Sequence, residues 1–127
     1  MARSILLDTD ILVDFFRGHS KAVAFVNAHS ARIILSSIVV AELYAGVKGD
    51  AEHAALDNFV SLFRVVPVST EIAKAGGLYK CDYGKSHGVG LADAILVATA
   101  EAENAELKTL STKHYPMLKD LRAAYNK

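Results

Sequence analysis

Three acidic residues, far apart in the chain, stand among apolar neighbours. Asp8 follows Ile5-Leu6-Leu7, Glu42 lies within Ile38-Val39-Val40-Ala41-Glu42-Leu43, and Asp93 lies within Leu91-Ala92-Asp93-Ala94-Ile95-Leu96. A carboxylate buried without a partner costs roughly several kcal/mol, or else keeps its proton. Three buried together also repel one another, and a divalent cation relieves that repulsion. Ligand sets made only of oxygen select Mg²⁺ or Mn²⁺ over zinc. The histidines (His19, His29, His53, His87 and His114) show no metal-ligand spacing, and Cys81 is alone, so no thiolate site can form. The chemistry open to these residues is metal-assisted attack on a phosphate ester. Each acid also has a plainer reading. An Asp in the first turn of a helix answers the positive end of the helix dipole, and Asp93 would lie there. A glutamate is most often at the surface, yet Glu42 is not three residues after Ser36 or Ser37, so it does not complete a capping box.

Short apolar runs and longer helical patterns alternate along the chain. Residues 5–7 read as a buried strand of a parallel sheet, ending at Asp8. Residues 33–35, 65–68 and 107–110 are the second, third and fourth strand candidates, and Pro67 puts the third at an edge or a strand end. Helices are expected over residues 11 to about 17, capped by Thr9 or Asp10, and over 21–29 and 38–47. Further helices are expected from Asp50 through Phe63, from Glu71 to about Tyr79, and from Leu91 to about Asn104. Residues 79–90 (YKCDYGKSHGVG) are the most loop-like interior stretch, with their first residues able to extend the preceding helix. The tail from Leu118 reads as a weak helix or a last edge strand. This alternation predicts an α/β fold: a three-layer sandwich with a central, mostly parallel sheet of four to five short strands and helices on both faces. Functional groups gather at the carboxyl ends of strands in such sheets, and Asp8 sits there.

A chain of 127 residues is long enough for one domain with a proper core, residues 1–127, and too short for two. With 52% hydrophobic and 22% charged residues it reads as globular, not disordered. Fourteen basic residues balance fourteen acidic ones, so any nucleic-acid contact must come from a local basic patch. The single cysteine excludes an intramolecular disulfide and fits a reducing compartment. Asp8 and Asp10 interrupt the first apolar run, which argues against a signal peptide, and no run reaches the roughly 18 apolar residues of a membrane span. The expectation is a cytoplasmic protein with no membrane partner.

Four motifs then occur in order. They are Leu7-Asp8-Thr9-Asp10-Ile11-Leu12 with Phe16-Arg17-Gly18, Ser36-Ser37-Ile38-Val39-Val40-Ala41-Glu42-Leu43-Tyr44-Ala45-Gly46, Leu91-Ala92-Asp93-Ala94-Ile95-Leu96-Val97-Ala98, and Leu110-Ser111-Thr112-Lys113-His114-Tyr115-Pro116. In these the chain resembles, nearly end to end, the PIN-domain ribonucleases, and within them the VapC-type toxins of type II toxin–antitoxin pairs. No single motif is specific; four in order at these spacings are a strong signal. The resemblance implies a PIN-like sandwich and metal-dependent endonucleolytic cleavage of RNA with Mg²⁺ or Mn²⁺. It implies that Asp8 and Asp93 bind the metal directly, that Glu42 completes the cluster directly or through water, and that Thr9 supports Asp8 by hydrogen bonding. It also implies a homodimer and a small antitoxin protein that blocks the site.

The chain departs from its relatives at Ser111, where many carry Asp or Asn. A serine can hold a water but brings no charge, so a site with one tightly held metal is expected. Asp10 is the nearby acid able to lean into the site, and Asp14 reads as solvated or paired. Groups suited to RNA are Arg17, Lys80, Tyr83, Lys85 and Lys113, with Lys48 and His87 beside them. Two other readings compete. Asp8-Thr9-Asp10 resembles the nucleophile motif of haloacid-dehalogenase-type phosphatases, but the late pair of acids is missing. A catalytically weak PIN-like binding module is the non-enzymatic alternative.

Overall fold

The computed structural model describes residues 3–127. Its centre is a four-stranded parallel sheet in the order β3-β2-β1-β4. β1 (Ile5–Leu7) and β2 (Ile33–Ser36) are buried at every position, as strands covered on both faces must be. β1 pairs with β2 through Ile5↔Ile33, and with β4 (Glu106–Lys108) through Ile5↔Glu106 and Leu7↔Lys108. β3 (Arg64–Val66) lies at the edge beside β2, and Pro67 follows its end, where a missing N–H costs no ladder bond.

Six helices flank the sheet: α1 (Thr9–Phe16), α2 (Ser20–His29), α3 (Ser37–Ala45), α4 (Gly49–Ser61), α5 (Thr70–His87) and α6 (Leu91–Ala102). α1 packs on α2 and α3, and α5 on α6, with α3 also touching α6. The core joins Leu6, Leu7, Ile11, Leu12, Leu35, Val39, Leu96 and Val97, all almost fully buried. No helix of the described residues is long and apolar enough to cross a membrane.

Most elements lie within two residues of their expected bounds, and three places differ. α5 continues through most of the stretch that reads as a loop and ends only at His87, with Gly88 in the left-handed conformation that stops helices. Its polar residues face solvent while its inner face lies on α6, so packing overrides composition. The Lys80 side chain lies over Gly84, 3.1 Å from where a Cβ would stand. β4 is shorter than expected, since Thr109 and Leu110 leave the sheet to meet acidic side chains.

The tail forms neither a helix nor a strand. It runs back past the end of β4, where Ala124 N donates to Thr109 O (3.0 Å). Its end is held by Asp14, a buried acid on α1 that accepts from Tyr125 (2.9 Å) and pairs with Lys127 (2.9 Å). Lys21 adds a bond to the Asn126 carbonyl. Burial pushes the Asp14 carboxyl up, but hydrogen bonds from Lys127 and Tyr125 outweigh it and hold the group below its ordinary value. Stability from such a group is present above the ordinary carboxylate pKa and lost as pH falls through the folded one. Asp14→Asn should therefore destabilise by about 1 kcal/mol at pH 7, and the difference from wild type should shrink toward pH 3. Urea midpoints at both pH values check this, and a constant difference would place the effect outside the charge.

Candidate active site

The site forms where β1 gives way to α1. Asp8 N still donates to Lys108 O (2.9 Å), so its backbone belongs to the sheet. Its Oδ1 accepts from Thr9 N (2.7 Å), making Asp8, and not Thr9 or Asp10, the cap of α1. Its Oδ2 accepts from Thr109 Oγ1 (2.8 Å) and Tyr115 OH (2.6 Å). Asp8 is 8% exposed, so these donors replace water.

Asp93 stands in the first turn of α6, whose cap residue Gly90 offers no side chain. Tyr115 OH also reaches Asp93 Oδ1 at 3.2 Å, so one hydroxyl touches both carboxylates. On the other side, His114 Nδ1 lies 3.7 Å from Asp93 Oδ2. Burial, and then the charge of Asp8, raise the Asp93 carboxyl above its ordinary value. Burial and the same two acids push the Tyr115 phenol far above its own, so the hydroxyl keeps its proton and serves as a donor.

Glu42, on α3, differs from expectation. Apolar neighbours in sequence suggest burial, yet it is exposed, because its helix turns the apolar residues Val39 and Leu43 to the core instead. Its Oε1 accepts from Thr9 Oγ1 (2.7 Å). Thr9 thus serves Asp8 with its backbone N–H and gives its hydroxyl to Glu42. Among the described residues, no three His, Cys, Asp or Glu side chains are gathered closely enough to hold one metal ion as they stand. Asp8 and Asp93 converge on a hydroxyl, while Glu42 joins them through Thr9.

Asp10 turns toward the closing motif. Its Oδ2 accepts from Leu110 N (2.9 Å), Ser111 Oγ (3.0 Å) and, more weakly, Thr109 Oγ1 (3.2 Å). Burial and the charge of Asp8 raise its carboxyl, and those three bonds pull the other way. Its Oδ1 is buried without a partner among the described residues. Ser111 therefore donates to an acid instead of standing as one. An acid at 111 would face Asp10 at hydrogen-bond range.

The basic candidates scatter. Arg17 is exposed at the end of α1 and lines a cavity of about 580 Å³ with Phe16, Glu42 and Lys48. Lys113 is exposed in the short turn Thr112–His114, next to His114. Lys80, Tyr83 and Lys85 sit on helix α5, not on a loop. Lys80 is occupied with the Val89 carbonyl (2.8 Å), and Tyr83 packs between Tyr79 and His87. The residues that sequence reasoning missed are Tyr115 and Thr109. Tyr115 stands inside the closing motif, but nothing local ties its hydroxyl to an acid 107 positions away.

A family model for the PIN domain matches residues 5–113. The chain is 36% identical to "Ribonuclease VapC19" of Mycobacterium tuberculosis over 124 residues, 94% of this chain and 98% of that protein. It is 32% identical to "Ribonuclease VapC10" of the same organism over 126 residues, 95% and 92% of the two chains. Among solved structures, a "Toxin-antitoxin complex from Klebsiella pneumoniae" superposes with a TM-score of 0.84 at 28% identity, covering 98% of this chain and 100% of that one. Four motifs in order, a fold in which β1 and α6 bring Asp8 and Asp93 to one hydroxyl, and this end-to-end similarity lead to one conclusion: the chain belongs to the PIN domain family and is a homologue of the mycobacterial VapC ribonucleases.

Proposed function

We propose that this protein is a divalent-metal-dependent endoribonuclease, the toxin of a toxin–antitoxin pair. The observation that carries the proposal is the meeting of Asp8 and Asp93 at the Tyr115 hydroxyl, in a mostly buried setting. Two hard oxygen ligands with few competing cations suit Mg²⁺ or Mn²⁺. The charge of Asp8 helps to raise both the Asp93 and the Asp10 carboxyls, which marks its surroundings as short of positive charge. Asp8 and Asp93 would hold the ion, and Glu42, exposed and one hydroxyl away, would reach it through water. A bound ion supplies an activated water and steadies charge on the phosphate.

The chain's own groups do the rest. Thr109 and Tyr115 fix one oxygen of the Asp8 carboxylate by two bonds, and Thr9 N fixes the other by a third. Asp10 pins residues 110 and 111, from which the segment leads on to Tyr115. Arg17, Lys48 and Lys113 would hold RNA phosphates: Arg17 and Lys48 line one cavity with Glu42, Lys113 stands next to His114, and Phe16, exposed near Arg17, would meet an unpaired base. Lys80 is better described as a brace of the turn before Asp93. Ser111 adds a dipole and no charge, so the site takes one tightly held ion, and any second arrives with the RNA.

VapC19 and VapC10 are named ribonucleases, and the Klebsiella structure is a toxin–antitoxin complex; both support an RNA substrate and a protein partner for this chain. A homodimer is the arrangement we propose for the free toxin. RNA incubated with purified protein should be cut in Mg²⁺, spared in excess EDTA, and cut again when Mg²⁺ or Mn²⁺ is restored. Cleavage indifferent to EDTA would refute the metal requirement. RNA binding without cleavage in any metal would make the chain a binding module instead.

A further inference from the structure

Tyr115 is among the most deeply buried side chains of the protein, at 1% exposed. Packing alone would be served by phenylalanine. What the tyrosine adds is one hydroxyl, and that hydroxyl lies 2.6 Å from Asp8 Oδ2 and 3.2 Å from Asp93 Oδ1. The ring is anchored independently of both acids. Its backbone N–H donates to Thr112 O (3.1 Å), and the segment before it is tied to Asp10 through Leu110 and Ser111.

We propose that Tyr115 is a positioning residue, holding the Asp8 and Asp93 carboxylates toward each other in the metal-free protein so that a divalent cation meets a preformed pair. This rests on the metal-dependent reading of the site. Two carboxylates in a poorly hydrated place repel. Thr9 and Thr109 also hold Asp8, so without the shared donor it is Asp93 that would turn away. A cation would then have to draw them together again. The hydroxyl prevents this without adding a positive charge. A lysine or arginine at the same point would neutralise the pair and compete with the ion. A phenol has one proton to give, so the bond to Asp8 dominates and the contact to Asp93 is the weaker share. It can therefore move wholly to one acid when the ion arrives. Hydrogen bonds that orient ligands in this way are worth about 10- to 100-fold in metal affinity.

Tyr115→Phe removes the oxygen and keeps the ring. Mn²⁺ titration calorimetry on the RNA-free proteins should show about tenfold weaker binding in the variant. In EDTA the variant should also melt lower than wild type, since two acids lose a donor. A second measurement needs no variant. In metal-free wild type the Tyr115 hydroxyl proton should be protected from exchange, with an NMR resonance that moves when Mg²⁺ is added. Equal Mn²⁺ affinity in Tyr115→Phe, or a hydroxyl resonance that ignores Mg²⁺ in a protein that binds it, would overturn the positioning role alone. Wild type that binds no Mn²⁺ at all would overturn the metal reading, and this role with it.

Discussion

Replacing Asp93 by asparagine should lower RNA cleavage by about a thousandfold or more, and at the same time make the metal-free protein more stable. The loss follows from the proposed role: an amide is a poor ligand for a hard cation and carries no charge. The gain follows from the surroundings. Burial, and then the neighbouring Asp8, raise the Asp93 carboxyl above its ordinary value. Stability from an acid raised in this way is fully present below its unfolded pKa and is lost as pH rises through the folded one. At neutral pH the wild type has lost it, and Asp93→Asn has not. The variant should therefore melt about 4 °C higher at pH 7, for roughly 1 kcal/mol, and the advantage should fade toward pH 4. Tyr115 OH can still donate to the amide oxygen, so the fold has no reason to change. Cleavage at the wild-type rate would remove Asp93 from the mechanism. A stability gain of the same size at both pH values would show that charge is not its source.

Gly76→Ala is expected to have the largest effect on stability. The two longest-contacting helices, α5 and α6, cross at this residue, which is buried. A Cβ there would stand 2.8 Å from Ile95 Cγ1, 2.9 Å from Ile95 Cα and 3.1 Å from Ile95 N. The side-chain atom can move, but the two backbone atoms cannot without shifting α6. Overpacking of this kind costs about 3 kcal/mol, while an alanine in a helix gains about 1 over glycine. The clash wins by roughly 2 kcal/mol, a fall of about 8 °C in melting temperature. Asp93 lies two residues before Ile95 on the same helix, so activity should fall with stability. Gly77 is the control. A Cβ there meets nothing within 4 Å, so Gly77→Ala should be neutral or slightly stabilising. Thermal melts of the two variants decide the matter, and equal melting temperatures would mean that the helices are free to separate.

Much of the fold was legible in the sequence because it is written locally. Three consecutive apolar residues before Asp8 mark a strand covered on both faces, and the spacing in residues 91–102 marks a buried helix. Apolar flanks also brought Asp8, Glu42 and Asp93 forward as candidates. The same signal overstated the burial of Glu42. Neighbours in sequence are not neighbours on a helix surface, and α3 turns Val39 and Leu43 inward while leaving Glu42 outside. It misled again over residues 79–87, where polar composition reads as loop but one packed face is enough for a helix.

The convergence of the site was decided only by tertiary structure. β1 pairs with β4 across about a hundred residues, and that pairing delivers Thr109 to Asp8 and leads the chain on to Tyr115. No periodicity within a window of ten or eighteen residues contains such a contact. Local pattern states which side of each element is buried. Which side chains then meet at the carboxyl end of the sheet depends on strand order and register, and these are set by the packing of the whole chain.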